Sequence, residues 1–185
     1  AAGLKAGDEA IVPAITFAAT ANAALYCGAE PVIVDVNADT LTLDPAAFEK
    51  ALTPRTKAVL PVHFAGLPAD MAEISRIARA HKLVVIEDAA HALGAAYRGK
   101  AMGACDRSDM AILSFHPVKH VATGEGGAVL TNRADLRGRL LLLRSHGITR
   151  ERSLLEDKDE GGWYYEMQAL GFNYRITDIQ CALGV

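Results

Sequence analysis

At 185 residues, the chain has the length of one ordinary domain, enough to bury a core and too little for two comfortable ones. Its 19 Lys and Arg stand against 22 Asp and Glu, a formal charge of −3, so there is no basic excess to grip a phosphate backbone and nucleic acid is not an expected partner. With 51% hydrophobic and 22% charged residues the balance is globular rather than disordered, and no apolar run approaches the ~20 residues of a membrane span, so no membrane partner is expected either.

In chain order, Ala10–Pro13 reads as a buried strand, Ala18–Cys27 as a helix, Pro31–Val36 as a strand, Pro45–Ala51 as a helix, Ala58–Val62 as a strand and Ala69–His81 as a helix. Leu83–Glu87, Met110–Phe115 and Gly127–Thr131 then read as strands, and Ala134–His146 as a further helix. The opening Ala1–Lys5 resembles a helix end and turn, and Asp178–Val185 breaks off inside a helical apolar pattern, as in a piece of a longer chain. Short strands alternating with helices imply an α/β protein, a three-layer α/β/α sandwich on a mostly parallel mixed sheet. The stretch Thr149–Gly162 is charged and ends in glycine, which predicts an exposed, mobile loop. Cys27, Cys105 and Cys181 form neither a paired framework nor a CxxC site, and no signal peptide opens the chain, so a reducing cytoplasm is the expected location.

In open α/β sheets ligands gather beyond the carboxyl ends of the strands, which draws attention to three stretches. Val84–His91 (VVIEDAAH) runs a strand into Asp88, with His91 three positions on. A carboxylate there is poised for a ligand or caps the next helix, and His91 taken alone reads as a core histidine. Ser114–His120 (SFHPVKH) places Lys119 after another strand. A lysine packed among apolar groups loses hydration, its pKa falls, and its amine becomes nucleophilic enough to bond an aldehyde; an isolated lysine is more simply a solvated one. His116 and His120 have i,i+4 spacing, but Pro117 interrupts a regular helix between them and no metal site is expected. Thr123–Leu130 (TGEGGAVL) leads from glycines into a strand, the reverse of a nucleotide-binding loop, so the glycines are expected to serve a close backbone approach or a sharp turn. For the same reason a nicotinamide-dependent oxidoreductase is disfavoured.

The order Asp88…His91, then Ser114–Lys119, then Gly124-Glu125-Gly126-Gly127, resembles the DegT/DnrJ/EryC1/StrS sugar aminotransferases, pyridoxal-phosphate enzymes of fold type I. The likeness runs from Gly7–Phe17 (GDEAIVPAITF) to Gly171–Gln180 (GFNYRITDIQ). It implies that residues 1–185 belong to the cofactor-binding large domain, without the N-terminal segment that supplies a phosphate-binding turn and without a smaller C-terminal domain. It also implies pyridoxal 5'-phosphate as cofactor, with Lys119 bonded to it and later moving the proton, and Asp88 paired with its ring nitrogen. His91 matches a polar side chain near the ring oxygen, Ser114 a phosphate ligand and Phe17 the aromatic that stacks on the ring. Asn173 matches a residue that reaches the phosphate of the partner subunit's cofactor, which implies a homodimer with shared sites. Tyr174 and Arg175 are candidates for sugar-nucleotide recognition, Arg175 equally for a structural ion pair.

Within the family, His116–Lys119, Arg144–Ile148 and Trp163–Gln168 look most like the branch serving pseudaminic acid-type nucleotide sugars. That implies amination of C4 in a UDP-linked 4-keto-6-deoxy-N-acetylhexosamine, with L-glutamate as donor. The alternatives are C3 or C4 amination of another dTDP-, GDP- or UDP-linked keto sugar and, from another class, a non-catalytic fragment that retains the fold.

Overall fold

Neighbouring residues on each central strand serve two different cores, and each core recruits its own helices. The computed structural model describes residues 1–158 and 160–185. Its elements are β1 (Glu9–Pro13), α1 (Ala18–Leu25), β2 (Glu30–Val34), α2 (Pro45–Lys50), β3 (Thr56–Val59), α3 (Met71–Ala80), β4 (Val84–Asp88), the hairpin of β5 (Ala96–Tyr97) and β6 (Lys100–Ala101), β7 (Met110–Ser114), β8 (Gly127–Leu130), α4 (Ala134–Leu143), β9 (Ile148–Thr149), β10 (Glu166–Met167) and α5 (Asp178–Leu183). Ile11, Val59 and Val85 point to one face, where they pack with Phe48 of α2 and with Met71, Ile74 and Ile77 of α3. Ala10, Val12, Ala58 and Leu60 point to the other and pack with Ala24 of α1. The period-two alternation of a strand buried on both faces thus builds the three layers.

The main sheet has the order β2-β1-β3-β4-β7-β8. Every pairing in it is parallel except β7 with β8, which run antiparallel from Ala111↔Leu130 to Ser114↔Gly127. The chain leaves β1 for β2 on one side and returns to β3 on the other, so the strand order reverses between β1 and β3, the kind of switch point at which α/β sheets open a crevice.

Local chemistry sets the boundaries. Asp44 caps α2 by accepting the Ala46 N–H at 2.9 Å, with Pro45 at the first helical position. Asp70 caps α3 by accepting the Glu73 N–H, so the helix starts at Met71 rather than Ala69. Thr177 and Gln180 form a reciprocal capping box at the head of α5. β3 ends at Val59, but its continuation stays on the sheet: the Leu60 N–H donates to Ile11 O at 2.8 Å and the Asp88 N–H to Pro61 O at 2.8 Å. At the amino edge, the buried Glu9 carboxylate accepts hydrogen bonds from Thr53 Oγ1 at 2.5 Å, Arg55 Nε at 2.8 Å and Thr56 Oγ1 at 3.2 Å.

The Thr149–Gly162 stretch is mostly exposed, yet it holds more structure than its composition predicts; Asp159 lies outside the described residues. It opens on the end of β9, makes a single 3-10 turn at Arg152–Leu154 and buries Leu155. The Glu166 carboxylate accepts the Glu156 and Asp157 N–H groups at 2.8 and 3.0 Å. Of the cysteines, Cys105 is buried while Cys27 and Cys181 are exposed, and all three are free thiols. Among the described residues no helix is long and apolar enough to cross a membrane.

Candidate active site

The carboxyl ends of β4 and β7 lie side by side, with Asp88 in register with Ile112. Asp88 closes β4, and its backbone is held on both flanks: its carbonyl accepts the His63 N–H at 3.1 Å, and the next N–H, of Ala89, donates to Ile112 O at 2.9 Å. Its half-buried carboxylate accepts the Ala90 N–H at 3.2 Å on Oδ1 and the Thr20 hydroxyl at 2.7 Å on Oδ2. A turn, not a helix, follows Asp88, so the local cap is one N–H of that turn. Thr20 comes from α1, packed beside β1 and β2, and reaches over the strand ends to β4; Thr16 in turn hydrogen-bonds Thr20 at 2.7 Å. Thr20 was not foreseen from the sequence. The available signal was Thr16 and Thr20 at i,i+4, one turn of helix apart just after a strand.

Ser114 is the last residue of β7, two positions past Asp88's partner Ile112, and its Oγ accepts the His116 N–H at 3.4 Å. Lys119 sits in the turn that joins β7 to β8. The turn is tied by its own backbone, Lys119 N–H to His116 O at 2.9 Å, Thr123 N–H to Phe115 O at 3.0 Å and Phe115 N–H to Gly126 O at 2.9 Å. Lys119 is half-buried, and among the described residues no carboxylate pairs with its amine. The glycines behind it do permit a close approach: a Cβ on Gly127 would lie 2.7 Å from the Leu113 carbonyl oxygen. His116 Nε2 lies 3.9 Å from Glu125 Oε1 across the turn.

Phe17 is the residue before α1, three positions from Thr20, and its ring is 80% exposed. His91 is half-buried rather than in the core, and its imidazole lies beside the Phe64 ring with centroids 6.3 Å apart. Asn173 lies on another element. It bridges Ser145 behind α4, between Phe172 and Tyr174, whose rings stack at 4.7 Å. Asn173, Tyr174 and Arg175 are exposed, and among the described residues Arg175 pairs with no carboxylate. The segment beyond them docks on the glycine turn, where Gln180 Nε2 donates to Glu125 O at 2.9 Å.

The segments Arg144–Ile148 and Trp163–Gln168 also meet: Ile148 pairs with Met167, Thr149 with Glu166, and the Gln168 N–H donates to Gly147 O at 2.7 Å. The structure therefore sets Asp88, Thr20, Ser114 and the Lys119 turn at the carboxyl-end side of the main sheet, and Asn173, Tyr174 and Arg175 on a strap leading to that turn.

An acid thus closes a central parallel strand, and a lysine stands in the turn after its neighbour. The sequence profile of the DegT/DnrJ/EryC1/StrS aminotransferase family matches residues 1–185, and the chain belongs to that family. It is 46% identical over all 185 residues to GDP-perosamine synthase of Caulobacter vibrioides, covering 46% of that protein. Among solved structures, the PMP form of the sugar aminotransferase Spr1654 of Streptococcus pneumoniae superposes with a TM-score of 0.86 at 30% identity, over 99% of this chain and 50% of that one. Helicobacter pylori PseC, an aminotransferase of pseudaminic acid biosynthesis, gives 0.84 at 35% identity, over 97% of this chain and 45% of that one. The chain thus spans about half the length of the relatives it matches.

Proposed function

We propose that the protein containing this chain is a pyridoxal 5'-phosphate-dependent aminotransferase acting on a nucleotide-linked keto sugar. The observation that carries this reading is the placement of Asp88 at the carboxyl end of β4 and of Lys119 in the turn that follows the adjoining strand β7. The residues present fit the cofactor. The Asp88 carboxylate uses two of its roughly four acceptor positions, on Ala90 and Thr20, and keeps others for a ring N–H. Among the described residues the amine of Lys119 is in no ion pair, and Phe17 is exposed. When bound, pyridoxal phosphate supplies an electron sink for carbanion chemistry.

Within this reading Lys119 would hold the cofactor at rest and, once released, would move a proton at the amino donor's α-carbon. Asp88 would keep the ring nitrogen protonated, with Thr20 orienting Asp88. Ser114 would bind the phosphate, His91 the ring oxygen, and Phe17 would stack on the ring. Residues 1–185 would form most of the cofactor-binding domain, the remainder of the phosphate cup and a smaller domain belonging to the rest of the protein. Asn173 would serve the partner subunit's phosphate in a homodimer, with Tyr174 and Arg175 facing the sugar nucleotide. Free thiols at Cys27 and Cys181 suit a cytoplasmic setting.

For the substrate we favour C4 of a UDP-linked 4-keto-6-deoxy-N-acetylhexosamine with L-glutamate as donor, on the segments Arg144–Ile148 and Trp163–Gln168, which pack together. A GDP-linked keto sugar is the second reading, favoured by 46% identity to GDP-perosamine synthase against 35% to PseC. The test is a pair of half-reactions on the whole protein. L-Glutamate should bleach the visible band of the loaded enzyme, and the UDP-keto sugar should restore it. Recovery only with a GDP- or dTDP-keto sugar would reject the UDP assignment, and no response to any amino donor would reject the aminotransferase.

A further inference from the structure

On the face of β4 opposite the Asp88 carboxylate lies a sealed polar cluster that the chemistry above does not use. His63 is 0% and Glu87 3% exposed, and Nε2 of the imidazole lies 3.0 Å from Glu87 Oε2. The other ring nitrogen, Nδ1, accepts the Ala69 N–H at 3.1 Å. A nitrogen that accepts cannot carry its own proton, so the ring proton is on Nε2 and is donated to Glu87. The second oxygen, Glu87 Oε1, accepts the Ser108 hydroxyl. Every polar atom of the cluster is therefore satisfied, as burial requires.

The same histidine grips the neighbouring residue. Its backbone N–H donates to Asp88 O at 3.1 Å, in the Val62↔Asp88 bridge that continues β3. One residue thus fastens the Glu87–Asp88 dipeptide twice, by the Asp88 carbonyl and by the Glu87 carboxylate. With one side chain pinned below the sheet, the other must project from the opposite face, where Thr20 receives it.

We propose that His63 is a positioning residue for Asp88, acting through Glu87 to aim the Asp88 carboxylate at the ligand site. The proposal rests on the reading of Asp88 as the acid at the cofactor ring, and the tests separate the two. In the whole protein labelled with nitrogen-15 histidine, His63 should show the Nε2-protonated tautomer. An Nδ1-protonated ring overturns the proposal without reference to any cofactor.

The second test is a cycle on pyridoxal phosphate affinity, read from the visible band. His63→Asn keeps an acceptor for the Ala69 N–H and loses the donor to Glu87, and should weaken binding roughly tenfold, as loss of an orienting partner does elsewhere. His63→Gln keeps that donor and should stay within about twofold of the parent, and in an Asp88→Asn background the His63→Asn penalty should fall below about twofold. Equal penalties in both backgrounds, or no penalty at all, overturn the proposal. Glu87→Gln, of nearly unchanged size, replaces His63→Asn should that variant not fold, with the same dependence on Asp88 expected. A parent protein with no visible band defeats the reading of Asp88 and this proposal with it. A band that Lys119→Ala abolishes and Asp88→Asn weakens, but that His63→Asn leaves alone, defeats the positioning role only.

Discussion

Thr20→Val is the sharpest small perturbation of the site, because it deletes one hydroxyl and preserves the branched shape of a side chain that is 6% exposed. The hydroxyl donates to Asp88 Oδ2 at 2.7 Å. Hydrogen bonds to charged groups contribute about 1.5–3 kcal/mol. Asp88 is only half-buried, so water can take the vacated lone pair, and we expect about 1 kcal/mol to be lost. If that loss falls on the orientation of the carboxylate, pyridoxal phosphate should bind roughly fivefold more weakly. The assay is titration of the visible band in the whole protein, beside a urea unfolding curve whose slope should not change while its midpoint falls. Thr16→Val is the control: its hydroxyl touches Thr20 at 2.7 Å but not Asp88, so its effect on affinity should be the smaller. Unchanged affinity in Thr20→Val, or a larger loss in Thr16→Val, would refute the assignment of Thr20 as the partner that matters.

Phe48 is fully buried between α2 and the sheet, so Phe48→Ala should cost about 3–5 kcal/mol in urea unfolding. Gly127→Ala would set a methyl 2.7 Å from the Leu113 carbonyl oxygen; it should destabilise by about 1–3 kcal/mol and weaken cofactor binding as well, because the shift is passed to the turn bearing Lys119. Glu9 is held below the ordinary carboxyl value of 4.5, first by the Thr53 hydroxyl and then by Arg55, against the opposing effect of burial. Its folded pKa lies below the unfolded one, so its contribution is complete above the unfolded value and is lost as pH falls through the folded one. Glu9→Gln should therefore be less stable at neutral pH and should flatten the acid limb of stability against pH, and an acid limb as steep as the parent's would count against this.

The strand and helix pattern was legible because uninterrupted apolar runs such as Ala10, Ile11 and Val12 need a covering layer on each face. Boundaries were less so. Ala69 looks helical by composition, yet its N–H is claimed by His63 and Asp70 caps the helix after it. The hairpin of β5 and β6, only two residues a strand, turns on Arg98 and Gly99, both with positive φ, and offers no apolar period to read. The positions of Asp88, Ser114 and Lys119 were legible because each stands at or just beyond the carboxyl end of an apolar strand. Thr20 and His63 were not, since each acts through a contact across the sheet, 68 residues away for Thr20 and Asp88 and 24 for His63 and Glu87. No spacing rule spans such distances.

In the proposed enzyme one amine, Lys119, would carry the cofactor. Loading the whole protein with pyridoxal phosphate, reducing it with borohydride and mapping the peptides by mass tests this directly. A single phosphopyridoxyl label on Lys119, lost in Lys119→Ala, is expected. A label on Lys82, Lys100 or another lysine in its place, or no label on a protein that still transaminates, would contradict it.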